Sequence, residues 1–155
     1  MQPHLFACRF AWTGAAHGPA LDYAGYSRQW RADFDGKPSL RGSAAAAFRG
    51  DPALHNPEDL LMAALASCHC LSYLALGARE KLTVVAYEDG AEGRMEMKDG
   101  KIRFVDVLLR PKVTVAAGSD VARAMALHER AHGECFIASS VNFPVRHEAT
   151  IEVAR

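Results

Sequence analysis

The stretch Leu60–Ala78, LLMAALASCHCLSYLALGA, decides the fold because it runs for 19 residues without a formal charge. A helix needs about 20 apolar residues to cross a bilayer, so length alone does not separate a membrane span from a core helix. A helix that is apolar all round belongs to one of these two settings. The rest of the chain has an ordinary globular composition, so we interpret the stretch as a core helix, with no membrane partner. Covering both of its faces needs more elements than one small domain offers, which predicts a second subunit.

The start and the end of this helix are marked by residues of suitable types. Asn56 is a good N-cap, and Pro57 suits the first helical position. The carboxylates of Glu58 and Asp59 favour the first turn, where the helix dipole is positive. We predict that the helix ends within residues 79–81.

The residues before the helix are predicted to form β-strands. Residues 4–13 alternate loosely, and residues 21–34 carry aromatic side chains at the spacing of a strand. Asp35-Gly36 is a strong hairpin-turn signal. Residues 38–48 supply the returning strand, whose propensity is weakened by its alanines.

Two long β-like runs follow the helix, over residues 82–97 and 101–117. They meet at Asp99-Gly100, a dipeptide that favours the tight turn of a hairpin. Pro111 cannot donate a backbone hydrogen bond, so we expect it at a sheet edge or a bulge.

The last part of the chain contains a second helix and a closing strand. Ser119 is predicted to cap a helix over residues 120–132, which Gly133 can end. Residues 145–154 alternate and are predicted to form one strand. This order of elements is typical of an α+β fold, and 155 residues fit a single domain over residues 1–155.

Composition narrows the class of protein. Eighteen Lys and Arg balance eighteen Asp and Glu, which argues against a nucleic-acid partner, since such binders carry a basic surplus. Four cysteines are too few for a disulfide-built secreted scaffold. The first residues lack the basic start and apolar run of a secretory signal, so we expect a cytoplasmic protein with reduced thiols.

The cysteines are the first candidates for chemistry. Cys68 lies in the middle of the central helix, where a buried Cys is usually a small core residue. Cys70 is about 200° further around the helix, which disfavours a disulfide with Cys68. Cys135 follows the second helix in a loop that can fold back on the first. A loop thiol and a helix thiol have the makings of a peroxidatic and resolving pair, although their spacing alone is a weak signal.

A second motif points to a different chemistry. His128-Glu129-Arg130-Ala131-His132 matches H-E-x-x-H on a predicted helix, the pattern of a zinc hydrolase. The helix ends at once, no third-ligand motif follows, and the chain is short for a peptidase. We therefore prefer polar residues in a last helical turn, where imidazolium favours the dipole, and we expect no metal.

Three charged residues could activate a thiol. Burial in an apolar helix leaves a cysteine inert, whereas a nearby guanidinium stabilises its thiolate. Arg28 and Arg49 are the candidate cations, and Glu58 is a candidate carboxylate that would hold a guanidinium with two hydrogen bonds.

Two spaced motifs together resemble a known family. N-P-E-D-L-L at residues 56–61 is followed by A-S-C-H at residues 66–69, with Cys68 ten positions after Glu58. A-H-G-E-C at residues 131–135 supplies the second cysteine after a late helix. These motifs resemble the OsmC/Ohr family, the osmotically inducible protein C and organic hydroperoxide resistance proteins.

The resemblance extends over nearly the whole chain, with some departures. Y-S-R at residues 26–28 and F-R-G-D at residues 48–51 resemble one branch of the family. The Gly-Thr that often precedes N-P-E is replaced by Leu54-His55, and Cys70 is an additional thiol.

The resemblance implies an OsmC-like fold of antiparallel sheets around the central helix, an intertwined homodimer with its sites at the subunit interface, and no cofactor or metal. It implies that Cys68 is the peroxidatic cysteine and Cys135 the resolving one. Arg49 would be the family's arginine, with Arg28 as the alternative, and Glu58 its carboxylate partner. Ten residues span about 15 Å of helix, so we expect Glu58 to serve the site on the other subunit.

The expected function is a thiol-dependent peroxidase. It would reduce organic hydroperoxides through a Cys68 sulfenic acid and a Cys68–Cys135 disulfide, which an external dithiol reductant would reopen. The alternative is a non-catalytic dimer of the same fold that binds a small apolar ligand or senses redox state.

Overall fold

The computed structural model describes residues 2–155, which form two compact units. The first unit extends to Leu60 and the second runs from Leu61 to Arg155. Each unit is described by itself below, and the single domain over residues 1–155 stays a prediction.

The first unit contains a three-stranded antiparallel sheet in the order β1-β2-β3. Short 3₁₀ helices cover Thr13–His17 and Ala46–Phe48. The strands are β1 (Arg9–Trp12), β2 (Trp30–Asp33) and β3 (Leu40–Gly42).

The strands of this unit are shorter than predicted. The turn at Asp35-Gly36 is confirmed, because β2 and β3 pair across it and Gly36 has a φ of 70°. Residues 21–29 are not a strand, since the Asp22 carboxylate accepts hydrogen bonds from two following backbone N–H groups, those of Ala24 and Gly25, both at 2.8 Å. A local turn of this kind competes with a sheet ladder for the backbone.

The central helix α1 (Pro57–Arg79) has the predicted start and end. The Asp59 N–H donates to Asn56 Oδ1 at 2.8 Å, and the Asn56 N–H donates to the Asp59 carboxylate at 3.1 Å. This reciprocal pair satisfies two backbone donors at the helix end.

The core helix interpretation rests on the buried stripe of α1. By length and composition α1 could cross a membrane, and 28% of its most apolar window is buried inside the chain. The stripe comprises Leu65, His69, Tyr73, Leu76 and Gly77. Leu71, on another face, is 66% exposed, so one chain does not cover the helix on all sides.

The second unit contains two three-stranded sheets, in the orders β4-β7-β9 and β5-β6-β8. A second helix, α2 (Val121–Gly133), precedes a 3₁₀ turn over Ala138–Ser140. The strands are β4 (Val84–Asp89), β5 (Glu92–Lys98), β6 (Lys101–Leu109), β7 (Pro111–Val115), β8 (Val145–His147) and β9 (Thr150–Val153).

The hairpin at Asp99-Gly100 is confirmed, because β5 and β6 pair antiparallel across it. The prediction of two continuous β-like runs is wrong in one respect, since each run divides into two strands that belong to different sheets. The two runs divide opposite each other, at residues 89–90 and at Arg110. The Arg110 N–H donates to the Asp89 carboxylate at 2.8 Å, and the Gly90 N–H donates to the Arg110 carbonyl at 3.4 Å.

Three further expectations are corrected. Pro111 is the first residue of β7, the middle strand of its sheet, a position that needs no ladder donor. The cap of α2 is Asp120 and not Ser119, since the Asp120 carboxylate accepts from the Arg123 N–H at 3.0 Å. Residues 145–154 form two strands, β8 and β9, in different sheets.

The buried side chains of α1 pack on both sheets of the second unit. Toward its end, Tyr73 and Leu76 join apolar residues of β7 and α2, among them Val113 and Leu127. Nearer its start, Leu65 joins a cluster from β6 and β8: Val107, Leu109 and Val145. The middle of α1, with Cys68 and His69, therefore lies between two core clusters.

Candidate active site

The structure brings Cys68 and Cys135 together, although they are distant in sequence. Their side chains are neighbours, Cys68 half-buried on α1 and Cys135 only 1% exposed in the loop after α2. Burial above all raises the pKa of Cys135 to about 11; the backbone N–H of Ala138 opposes this shift, and the Cys68 contact adds to it. At neutral pH Cys135 is therefore a protonated thiol beside Cys68.

Local backbone bonds fix the position of Cys135. Its N–H donates to the His132 carbonyl at 3.2 Å, and its carbonyl accepts from the Ser139 N–H at 3.0 Å. Its sulfur accepts from the Ala138 N–H at 3.5 Å. The Ser72 hydroxyl of α1 also donates to the Glu134 carbonyl at 3.5 Å, which ties this loop to α1.

A cavity of about 480 Å³ opens beside Cys68. Its walls are mainly apolar and include Ala64, Leu71, Ala75, Phe136 and Ile137. The polar groups that line it are Ser67, Ser72, Arg79 and Glu134, of which the last two form an ion pair at 3.8 Å. Cys68 thus lines a mainly apolar cavity.

The other two cysteines are separate from this pair. Cys70 is half-buried, and burial, followed by the nearby Asp89 carboxylate, raises the pKa of its thiol. Cys8 is exposed in the first unit. A thiol held protonated by burial and a negative neighbour is a poor nucleophile, which disfavours Cys70 as the reacting cysteine.

In the first unit, Arg28 is held by two tyrosines that sequence reasoning missed. Its guanidinium carbon lies 3.9 Å from the centre of the Tyr26 ring and 5.0 Å from that of Tyr23. Its terminal nitrogens donate to the carbonyls of the same two residues. Its Nε is buried and has no hydrogen-bond partner within residues 2–155.

Arg49 contacts the same aromatic group more loosely. It is exposed, has a left-handed φ of 62°, and its guanidinium carbon lies 5.8 Å from the Tyr23 ring centre. Only the tyrosines in the Y-x-x-Y-S-R stretch could have indicated the arrangement from sequence, because aromatic rings commonly bind guanidinium groups.

Glu58 forms no ion pair with either arginine among the residues that the structure describes. It is half-buried, and its Oε2 is buried without a hydrogen-bond partner in that same part of the chain. Arg28, Arg49 and Glu58 belong to the first unit and the thiols to the second. Their roles at the thiol pair stay predictions.

The H-E-x-x-H segment lies on α2. Over residues 2–155, no group of three or more His, Cys, Asp or Glu side chains is arranged to hold a metal ion. His128 is completely buried and precedes the last turn of α2, so the expectation of an imidazolium in the last turn is wrong for this position. Burial, followed by the neighbouring His69 and His147, lowers the pKa of His128 to about 3.

In this α+β fold, the long helix α1 places Cys68 on the wall of an apolar cavity and close to Cys135 of the loop after α2. The profile of the family described as OsmC-like protein matches residues 50–150. The chain belongs to this family, which confirms the resemblance predicted from the motifs.

Comparison with curated proteins finds YmaD, an uncharacterised protein of Bacillus subtilis (strain 168), at 26% identity over 103 residues, or 63% of this chain and 69% of that protein.

Solved structures confirm the predicted α+β fold. An OsmC-like protein of unknown function from Vibrio cholerae is 30% identical, with a TM-score of 0.87 over 96% of this chain and 100% of that one. An organic hydroperoxide resistance protein from Elizabethkingia anophelis is 16% identical, with a TM-score of 0.69 over 99% and 100% of the two chains. OhrB of Bacillus subtilis, also named as such a protein, is 20% identical, with a TM-score of 0.63 over 95% and 100%.

Proposed function

We propose that this protein is a thiol-dependent peroxidase that reduces organic hydroperoxides, with Cys68 as the peroxidatic and Cys135 as the resolving cysteine. The closeness of the two thiols, with Cys68 on the wall of an apolar cavity, carries the proposal. Two structural relatives are named as organic hydroperoxide resistance proteins, which agrees with it.

The reaction has two steps on the protein. The Cys68 thiolate attacks the distal oxygen of the hydroperoxide, the O–O bond breaks, and the alkoxide takes up a proton and leaves as an alcohol. Cys135 then loses its proton and attacks the sulfur of the Cys68 sulfenic acid, which releases water and forms the disulfide. An external dithiol of unknown identity reduces that disulfide and restores both thiols.

The assignment of roles follows from exposure. Cys68 is half-buried and lines the cavity, so a hydroperoxide can reach it. Cys135 is buried with a raised pKa, which suits a thiol that waits for the sulfenic acid beside it. The apolar walls favour an alkyl or lipid hydroperoxide over hydrogen peroxide, because they provide contact for its hydrocarbon part.

We further propose that the protein works as a homodimer and that an arginine stabilises the thiolate and the departing alkoxide. Of the two candidates, Arg28 is the more firmly positioned, because it is stacked on Tyr26 and bonded to two carbonyls. Arg49 remains the candidate that the family pattern favours. Glu58, with a buried and unpartnered oxygen, is the candidate carboxylate for such a guanidinium.

Intact mass spectrometry before and after one equivalent of an organic hydroperoxide tests the proposal. We expect a loss of two hydrogens that maps to a Cys68–Cys135 peptide. Cys68→Ser should abolish the reaction, Cys135→Ser should stop it at a sulfenic acid, and Cys70→Ser is the matched control that should react normally. An unchanged mass, or a disulfide made with Cys70, contradicts the mechanism.

The second candidate is a binding dimer without turnover. A cavity of about 480 Å³ in the first unit is lined by aromatic rings, including Trp12 and Trp30. Their indole N–H groups donate to the carbonyls of Ser27 and Ser43, so mainly apolar surface faces the cavity. Saturable quenching of tryptophan fluorescence by a fatty acid, with no hydroperoxide consumed by the wild type or by Cys68→Ser, would favour this function.

A further inference from the structure

A histidine pair that the proposed reaction does not use connects the two helices that carry the site. His69 of α1 directly follows Cys68, and His128 of α2 precedes the loop that carries Cys135. Both side chains are completely buried, and His69 Nε2 lies 3.1 Å from His128 Nδ1. The two rings are nearly parallel, at an interplanar angle of 6°. One shared N–H therefore joins α1 to α2 next to the thiol pair.

The two ring nitrogens of this pair that face away from each other are buried without hydrogen bonds to the described residues. His69 Nδ1 and His128 Nε2 are buried and have no hydrogen-bond partner within residues 2–155. When both rings are neutral, one N–H and one lone pair remain unpaired. An added proton would put a charge there with no acceptor for the additional N–H, which is much more costly than the neutral arrangement.

The groups around the pair oppose its protonation. His147 of β8 has its ring centre 5.4 Å from that of His69 and 5.9 Å from that of His128, and His132 of α2 lies 5.8 Å from His147. Tyr73 stacks on His128 at 4.2 Å and is neutral. These histidines repel a proton on the pair once they are charged themselves.

One carboxylate borders this histidine group. The 81% exposed Glu129 contacts His147 at 3.4 Å, on the outer side of the group. Burial, and then the other histidines, lower the pKa of His69 to about 4. The pair is therefore neutral in the folded chain at physiological pH.

We propose that His69 and His128 form a proton-sensitive clasp between α1 and α2, which keeps Cys135 buried against Cys68 while both imidazoles are neutral and releases it on acidification. The two histidines are positioning residues, because they act on Cys135 through their bond to each other and through the helix that leads into its loop. The link to Cys135 is short, since its N–H is bonded to the carbonyl of His132, four residues after His128. The consequence for peroxide reduction rests on the proposed function, whereas the clasp itself does not.

Other contacts between the helices hold at mildly acidic pH. Glu80 at the end of α1 pairs with Arg123 and Arg130 of α2. Hydrogen bonds from Arg130 and Arg123 lower the pKa of Glu80 below its ordinary 4.5, so these ion pairs persist where histidine first takes up protons. Acidification between pH 6.5 and 5 therefore acts on the clasp and leaves the ion pairs intact.

Thiol labelling of the reduced chain tests the clasp without any hydroperoxide. Cys8 is exposed and serves as an internal reference for the pH dependence of the reagent. The chain is treated briefly with N-ethylmaleimide, which alkylates thiols irreversibly, and peptide mass spectrometry gives the ratio of Cys135 to Cys8 labelling. We expect this ratio to rise about 20-fold or more from pH 7 to pH 5, because each histidine that takes up a proton on opening favours the open state by that order.

The variants separate the clasp from general acid sensitivity. His128→Phe keeps a ring stacked on Tyr73 but cannot take a proton, so only the part of the rise that His69 contributes should remain; His69→Gln should likewise remove the part that His69 contributes. His17→Gln, at an exposed position, is the matched control and should behave as the wild type. A flat wild-type ratio, or an unchanged rise in the two clasp variants, overturns the proposal.

If a variant does not fold, the wild-type protein alone still tests the proposal, because a wild-type labelling ratio that does not change with pH is sufficient to reject the clasp. Circular dichroism at each pH confirms that labelling reports a folded chain. If the protein does not reduce hydroperoxides but its Cys135 still becomes accessible at acidic pH, the proposed function is refuted and the clasp is supported.

Discussion

Acidification should destabilise the folded chain well above the pH at which carboxylates titrate. His69 and His128 are completely buried, and burial lowers their pKa values from 6.5 to about 4 and about 3. Below pH 6.5 the unfolded chain binds protons that the folded chain cannot accept, so the free energy of unfolding falls as pH falls. The contribution of the two neutral histidines to the free energy of unfolding is fully present above pH 6.5. It is lost progressively as pH falls toward their folded-state pKa values.

The magnitude follows from the proton balance. Between pH 7 and pH 5, each histidine takes up a proton in the unfolded chain but not in the folded chain. Each one therefore lowers the free energy of unfolding by about 2 kcal/mol, and the pair lowers it by about 4 kcal/mol. That is a large share of the 5–15 kcal/mol that typical domains possess, on the order of a third. Glu80 and Asp33, whose pKa values are lowered in the folded chain, contribute only at lower pH. Burial raises the pKa of Asp89, so this carboxyl acts in the opposite direction, and the net loss is the histidine contribution less that of Asp89.

Urea unfolding followed by circular dichroism at pH 7, 6 and 5 measures this loss. The slope with denaturant should stay constant while the midpoint falls, since the surface exposed on unfolding is unchanged. His128→Phe should lose about half of the pH dependence, and His17→Gln none of it. A midpoint that is constant or rises between pH 7 and pH 5 would refute the reasoning about the buried pair.

Three further predictions concern single side chains. Asn56→Ala should lower the free energy of unfolding by about 1 kcal/mol, because the side chain caps α1; urea unfolding measures this change, and an unchanged midpoint contradicts the cap. Leu65→Ala should cost about 2–5 kcal/mol by the same measurement, since Leu65 is completely buried between α1 and the β5-β6-β8 sheet; a loss below 1 kcal/mol would mean that the core closes over the space. Phe136→Ser should raise KM for a bulky organic hydroperoxide more than for hydrogen peroxide, because the ring lines the cavity beside Cys68; equal changes in steady-state assays would place the substrate elsewhere.

Local sequence signals predicted the elements whose cause is local. The cap at Asn56, the proline at position 57 and the uncharged run after them define α1, and the turns at Asp35-Gly36 and Asp99-Gly100 define two hairpins. Spaced motifs around Cys68 and Cys135 also identified the family before any coordinates. In each case the deciding residues are neighbours in the chain.

The sheet assignments could not be predicted in the same way. The run over residues 82–97 is β-like throughout, yet it divides between two sheets where Asp89 and Gly90 bond to Arg110 from the other run. Propensity gives the strand character of a segment but does not say which partner will supply its hydrogen bonds. That choice is made by contacts between residues about 20 positions apart.

The chemistry of the histidines was decided by tertiary packing alone. In the sequence, His69 and His128 are ordinary titratable residues, one beside a cysteine and the other in a zinc-like motif. In the folded chain they meet at 3.1 Å in a site closed to solvent, and both remain neutral. Sequence determines which groups are present, whereas the cost of charging them depends on water and partners, which only the packed helices and sheets define.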